Sequence, residues 1–378
     1  MDLIKHELYK IFSNKSVLIL FIIVTIFSGV YFTAEIHYSK VDNTVISNMT
    51  QKLEGPITES KVEKASLEIE RSRNMNSQQS PWVANPKRLF EFNAYSKLVA
   101  INRAYMIKQA DLMKINIENN GAKGFPHKNN VLLYGMLTAT SINEFHYTAG
   151  WDIIVGYANS FGAVIMAAFI LLGLSAMFCG EYASRMDSII LSSKYGKTKL
   201  IKAKLVASIL YILGLILFFN LLNLVANIGA FGIHGWNSPI QCLIGFENSP
   251  YKFSVLQYYF LQLLIHSAAC IVFGLFVLLV STLSKTRIVT FFIGVFTFVV
   301  PFLVDNAIPM KKTLADLVVK FSCSWAMQGA KLFKSYRTYD FFDNPVLYPI
   351  VVIGLLVVLL PVFCIAIDKT FKNHGMNF

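Results

Sequence analysis

Residues 179-CGEYASRMDSIILSSKYGKTKLIKAK-204 carry six Lys/Arg, one Glu and one Asp, and they lie between the apolar runs Ile153–Met177 and Leu205–Ala230. Each flanking run is long enough to cross a bilayer, which takes roughly 20 predominantly apolar residues. The charged stretch is therefore a short loop between two membrane spans. Its first part, Glu181 to Ser193, can form about three helical turns before Gly196 breaks it. On that helix Met186, Ile189 and Ile190 share one face with Ser193, while Glu181, Arg185 and Ser192 lie on others. Lys194 and four further lysines then lead the chain back toward the membrane. A short helix joined rigidly to two spans is a lever: force applied to it tilts both.

The rest of the chain repeats the apolar pattern. It is 55% hydrophobic and 15% charged over 378 residues, where a soluble domain carries about 25% charged residues. Further runs occur at Val17–Ala34, Leu256–Leu283, Ile288–Ile308 and Val346–Ile367. None shows the period-2 alternation of a barrel strand. The expectation is an all-α polytopic membrane protein with six transmembrane helices, although only Ser284, Lys285, Thr286 and Arg287 separate two of the runs. In linear order this gives an interfacial helix (1–16), span one (17–34) and an extracellular lobe (35–152). Spans two to five (153–308) follow, with the charged loop at 178–204. An outer segment (309–345), span six (346–367) and a tail (368–378) complete the chain.

Orientation follows from Lys/Arg in short loops. Segments 1–16, 178–204, 284–287 and 368–378 hold three, six, two and two basic residues, against one in 231–255. Segment 309–345 holds six and opposes the rule without reversing it. Both termini are expected in the cytoplasm, in the plasma membrane. A net charge of +12 in such a chain points to topology and anionic lipid, not nucleic acid. No A-x-A site follows the first apolar run, so it reads as an uncleaved anchor. Tyr147, Trp151 and Trp236 fall at interfacial belt positions.

Segment 35–152 is expected to form a small helical lobe. ESKVEKASLEIERSRN reads as a charged helix, and Pro86 opens a second on which Leu98, Ile101, Tyr105 and Leu112 share a face. ENNGAKGFPHKNN then breaks the helix. The sequon at Asn48 matters only in a glycosylating pathway. Five cysteines show no C-x-x-C. Cys179, Cys270 and Cys364 read as packing residues, and a disulfide between the loop cysteines Cys242 and Cys323 is left open.

MDLIKHELYKIFSNK precedes the first span. Leu3, Ile4, Leu8, Ile11 and Phe12 fall on one half of its helical wheel, as in a helix lying in the interface. Glu7 intrudes on that apolar half. It either snorkels at the edge or meets a partner cation or protein surface. In the third span Asn220, Asn223 and Asn227 share a stripe, and in the fourth Gln262 and His266 are four apart. Such residues either hydrogen-bond between helices or line a polar route.

The elbow IKHELYKIFSNKSVLIL and the loop FCGEYASRMDSIILSSKYGKTKLIKAKLV together resemble the type-2 family of ABC transporter permeases, which has the six-span type V exporter fold. Glu7, Leu8 and Lys10 match the family's elbow pattern. Glu181, Leu191, Lys197 and Lys204 match its first intracellular loop. Arg185-Met186 stands where the family often has Gly-Thr, and Ser193 where it often has Pro. The resemblance implies that 181–194 is a coupling helix docking on an ABC ATPase subunit. Glu181, Arg185, Met186, Ile189, Ile190 and Lys194 would form that contact, together with Glu7. It further implies a second permease copy or homologue, and short re-entrant helices in 309–345 that cap the route from outside. The cargo would be an amphipathic compound such as an antimicrobial peptide, drug or lipid. Asn220, Asn223, Asn227, Gln262 and His266 would line its pathway.

The chain supplies no ATPase of its own. G-x-x-x-x-G-K-[ST] does not occur, and GAKGFPHK fails at its last three positions. ATP and Mg would thus belong to the partner, and this chain would hold no cofactor. Enzyme chemistry lacks support: there is no H-E-x-x-H, no G-x-S-x-G and no pair of intramembrane carboxylates. The alternative reading is a membrane-anchored sensor or binding protein that works through its lobe.

Overall fold

The computed structural model describes residues 2–39, 52–74, 86–118, 123–184, 196–307 and 314–374. Helix α1 (Asp2–Phe12) is amphipathic, and α2 (Lys15–Ser39) follows after a two-residue break. Asn14 makes that break, with its side chain accepting from Ser16 N at 3.1 Å. The lobe comprises β1 (Gly55–Pro56), α3 (Glu59–Asn74), α4 (Pro86–Glu118), α5 (Phe125–Ala139) and β2 (Glu144–Phe145). The charged helix and the Pro86 start are both where the sequence places them. Leu98 and Ile101 are fully buried, in a small second core with Leu53, Ala65, Phe145 and Cys242. Helix α5 falls on the stretch that reads as a break. Pro126 sits in its first turn, where a missing N–H costs nothing.

The second span is assembled from α6 (Ala149–Asn159), α7 (Phe161–Leu174) and α8 (Cys179–Ala183). A π turn at Gly196–Leu200 leads into α9 (Ile201–Phe231); α10 (Val255–Leu283) and α11 (Arg287–Ala307) follow. Next come three short helices, α12 (Leu314–Lys320), α13 (Cys323–Met327) and α14 (Ala330–Phe333). The hairpin of β3 (Thr338–Phe341) and β4 (Asn344–Leu347) then leads into α15 (Tyr348–His374). Among the described residues, five stretches are long and apolar enough to cross a membrane: Lys15–Ala34, Ala149–Ala183, Thr198–Phe231, Val255–Leu283 and Tyr348–Asn373. The chain is a largely helical, multi-pass membrane protein. The apolar part of α11 is shorter, Arg287–Pro301.

One core runs through the bundle. Phe169, Phe178, Tyr211, Phe219, Tyr258 and Phe273 are buried in it, whereas Ile22, Ile26, Leu217, Val225, Phe292, Phe296 and Val357 face outward. That outward apolar surface suits lipid tails; inside a bilayer the packing between helices comes from close contact and polar bonds. Trp151 and Tyr147 correct the belt assignment. Both are buried, and Trp151 Nε1 donates to Ile233 O at 3.3 Å. They join the lobe end to the bundle, while Trp236 is half-exposed.

The expected amphipathic segment after α11 is helical only as far as Phe333 and then becomes a hairpin. Its turn places Phe342 and Asp343 at φ 51° and 63°, a left-handed turn that no glycine announces in the sequence. The open disulfide question closes against a bridge. Cys242 lies in the lobe core, Cys323 starts α13, and both are free thiols.

Candidate functional site

Glu7, on the apolar half of α1, is buried. It neither snorkels nor waits for another protein. Its Oε2 accepts from Lys204 Nζ at 2.9 Å, and its Oε1 from Lys10 Nζ at 2.9 Å. Lys204, one turn into α9, is 1% exposed. Its ammonium also donates to Glu181 Oε1 at 2.7 Å and to the Met177 carbonyl at 3.2 Å. All three donors of the ammonium are used. Lys10 closes the set at 3.5 Å from Glu181 Oε1. Two carboxylates and two ammonium groups make the cluster neutral, which is the condition for holding charge in a low-dielectric site.

Three separate elements meet on Lys204: α1, the end of the second span and the start of the third. The surrounding chain fixes each one. The second span loses its regular helix at 175–178, and Ser281 Oγ from α10 accepts from Phe178 N and Cys179 N, both at 3.2 Å, while donating to Ser175 O at 3.0 Å. Phe178 and Tyr182 pack on Phe371, near the end of α15, with ring centroids 5.3 and 6.4 Å apart. Lys204 Nζ lies 5.5 Å from the Phe178 ring centroid. The cluster is thus a cemented junction between the described residues on either side of 185–195.

Glu181, which the resemblance places at an ATPase contact, is buried and turned inward onto Lys204. Its Oε2 has no hydrogen-bond partner among the described residues. Arg185, Met186, Ile189, Ile190 and Lys194 lie outside the described residues. The junction was partly legible: a carboxylate on an apolar half-wheel calls for a cation, and Lys204 stands inside an apolar stretch.

Burial by itself pushes the Glu7 carboxyl up, but the Lys204 and Lys10 ammonium groups outweigh it and hold the carboxyl below its ordinary 4.5. Burial likewise pulls Lys10 down, and the Glu7 and Glu181 carboxylates reverse this and raise it above 10.5. A depressed carboxyl contributes stability that is present above its unfolded value and lost as pH falls through the folded one. Acidification from about pH 4.5 should therefore loosen α1. Thermal melts of purified protein across about pH 3–6, a window spanning the carboxyl's ordinary value, should show a falling acid limb. Glu7→Gln should flatten it; an unchanged limb in that variant would place the acid sensitivity elsewhere.

The polar stripe gathers deeper in the bundle. Asn223 Nδ2 donates to Ile154 O at 3.1 Å and Gln262 Nε2 to Val155 O at 3.0 Å, so two helices grip adjacent carbonyls of α6. Asn227 Nδ2 donates to Asn223 O at 2.9 Å, and Asn220 Nδ2 to Ile216 O at 2.9 Å. His266 Nδ1 sits 2.8 Å from Met327 O. A carbonyl only accepts, so Nδ1 carries the proton and Nε2 faces Cys270 Sγ at 3.6 Å as acceptor. Ala330 N donates to Asn159 Oδ1 at 2.8 Å. These bonds dock α13 and α14 beside α10, about three turns below its start at Val255. All five stripe residues are buried and bond within the chain. Three amide oxygens, Asn220 Oδ1, Asn227 Oδ1 and Gln262 Oε1, are buried without a partner among the described residues.

A second ion pair, unannounced by the sequence reading, lies at the opposite end of the same span. Lys97 Nζ of α4 donates to Asp152 Oδ2 at 2.7 Å and to Thr148 Oγ1 at 2.5 Å. Asp152 Oδ1 accepts from Ile244 N at 2.8 Å, and Thr148 Oγ1 donates to Cys242 O at 2.9 Å. The lobe, the second span and the loop after the third are tied at one carboxylate. The second span is thereby held by charge at both ends. Among the described residues no cluster of three or more His, Cys, Asp or Glu could hold a metal ion.

Comparison with protein-family models and with curated proteins finds no match.

Proposed function

We propose that the chain is the membrane-spanning subunit of an ATP-driven transporter of the ABC type-2 kind, moving an amphipathic compound outward. The observation that carries this reading is the junction on Lys204. It ties α1, the second span and the third span together at Glu181 and Lys204, on either side of the segment 185–195. A loop mounted in this way passes force to two spans at once. The reading takes the junction end as cytoplasmic, in line with its basic loops, and places both termini there.

Six crossings are part of the proposal. Helix α11 starts after three intervening residues beyond the end of α10, at the junction end, where Ser281 caps the second span. The chain after it packs with α10 beside His266 and then with the lobe, where Phe125 N donates to Asp343 Oδ1 at 2.7 Å. It must change sides between these points, and α11 is the segment available. Helices α13 and α14 would act as the outer gate. The stripe residues Asn220, Asn223, Asn227, Gln262 and His266 would line the route when the gate moves, and their unpaired oxygens are acceptors that a passing donor or water would satisfy. ATP and Mg would sit in the partner ATPase subunits, with a second permease copy or homologue completing the assembly.

The test is co-purification of ATPase activity with the chain from native membranes. Wild type should bring down substrate-stimulated hydrolysis, and Ile189→Asp should lose it while the chain remains folded in the membrane. If wild type brings no hydrolase, the proposal fails.

A second reading, a membrane-anchored binding protein, is favoured by one observation: a cleft between the lobe and the loop after the third span.

A further inference from the structure

That cleft, of about 460 Å³, is lined by Glu54 and His146 from the lobe and by the loop Ile233–Ser238. Both walls are fixed. Glu54 Oε1 accepts from Tyr147 N at 3.0 Å and from His234 Nε2 at 3.0 Å. On the other wall, Val255 N donates to Ser238 O at 2.9 Å and Leu256 N to Trp236 O at 3.0 Å, so the loop is pinned to the start of α10. Gly235 has φ +83°, and a Cβ there would fall 2.3 Å from the Tyr147 carbonyl. Only glycine lets the loop come this close to the lobe.

The lining has a definite chemistry. No lysine or arginine is among its residues. The Glu54 carboxylate is partly exposed, and a second carboxylate, Glu144, stands 3.4 Å from His146 Nε2. Trp236 and Ile233 supply half-exposed apolar surface. Ile233–Ser238 begins two residues after α9 ends at Phe231, so the cleft opens where a span meets the aqueous phase. Outward-facing Leu221 and Val225 lie on the same helix just below.

We propose that this cleft is a recognition site for an amphipathic organic cation. The ligand's ammonium pairs with Glu54 and lies against the Trp236 ring, and its apolar body follows Trp236 and Ile233 toward the membrane surface. Carboxylate and indole face together are the combination that recognises a partly desolvated ammonium. The fixed walls lower the ordering cost of binding. The proposal requires neither a hydrolase partner nor transport, so it and the transporter reading fail independently.

The test uses the full chain in lipid nanodiscs with dansylcadaverine, a fluorescent primary amine, and its N-acetyl derivative, which keeps the apolar body and loses the charge. The amine should bind saturably. Glu54→Gln, which keeps an acceptor for Tyr147 N, should weaken it by about tenfold, in line with loss of one charged contact. Trp236→Ala should weaken it as well. The acetylated probe should bind wild type no better than the amine binds Glu54→Gln. Equal affinity for both probes, or an unchanged dissociation constant in both variants, would overturn the site. So would displacement of the amine by Zn²⁺ in Glu54→Gln as strongly as in wild type, which would assign the cleft to a metal on the histidines.

Discussion

Lys204→Met should destabilise the folded chain by about 3–5 kcal/mol, the cost of removing one partner from a buried ion pair. The variant strips Glu181 of its 2.7 Å contact and Glu7 of its 2.9 Å contact, and leaves two buried carboxylates sharing Lys10. Against a total stability of about 5–15 kcal/mol, this is a large fraction. The expected phenotype is a lowered melting temperature in detergent, with release of α1 to proteolysis before the bundle opens. The triple variant Lys204→Met, Glu7→Gln, Glu181→Gln should recover most of the loss, because it removes the stranded charges along with their counter-ion. A melting temperature as low in the triple variant as in the single one would mean that the lysine acts through packing of its stem and not through its charge.

Lys97→Met should act at the other end of the second span and more locally. Among the described residues it leaves the Asp152 carboxylate with Ile244 N and a Thr148 hydroxyl proton shared with Cys242 O. The expected cost is about 3 kcal/mol, the low end for breaking a buried pair. It should fall on the docking of the lobe and not on the bundle. Hydrogen exchange of amides in 86–118 should accelerate by about two orders of magnitude, since 1.4 kcal/mol is a factor of ten, while amides in α10 stay protected. Pairing Lys97→Met with Asp152→Leu should restore protection in α4. Acceleration spread evenly over all helices would show that the pair supports global stability and does not clamp the lobe.

The two charge locks explain why some of the architecture could be read ahead and some could not. Spans announce themselves because a bilayer demands an unbroken apolar run, and the helices at 59–74 and 86–118 because periodicity and Pro86 mark them. The same periodic logic found Glu7 on an apolar half-wheel and the asparagine stripe in α9. Periodicity assigns a face; it does not say which element covers that face. Glu7 meets a lysine 197 residues away, and Lys97 an aspartate 55 residues away. No local pattern encodes either meeting.

Helix α5 was hidden because Gly, Pro and Asn signal a break whether the chain stops there or starts again. The β3–β4 turn was hidden because Phe342 and Asp343 take left-handed conformations normally left to glycine. Of the residues expected to grip an ATPase, Glu181 and Glu7 are buried and paired with Lys204.

The central claim is that residues 185–195, mounted on the Lys204 junction, are held on the cytoplasmic side by an ATP-hydrolysing chain. A photo-cross-linking amino acid at position 189, activated in native membranes and followed by mass spectrometry, tests it most directly. The account predicts one dominant adduct, to a protein carrying a G-x-x-x-x-G-K-[ST] motif. Adducts confined to lipid, or to proteins of the outer face, would contradict it.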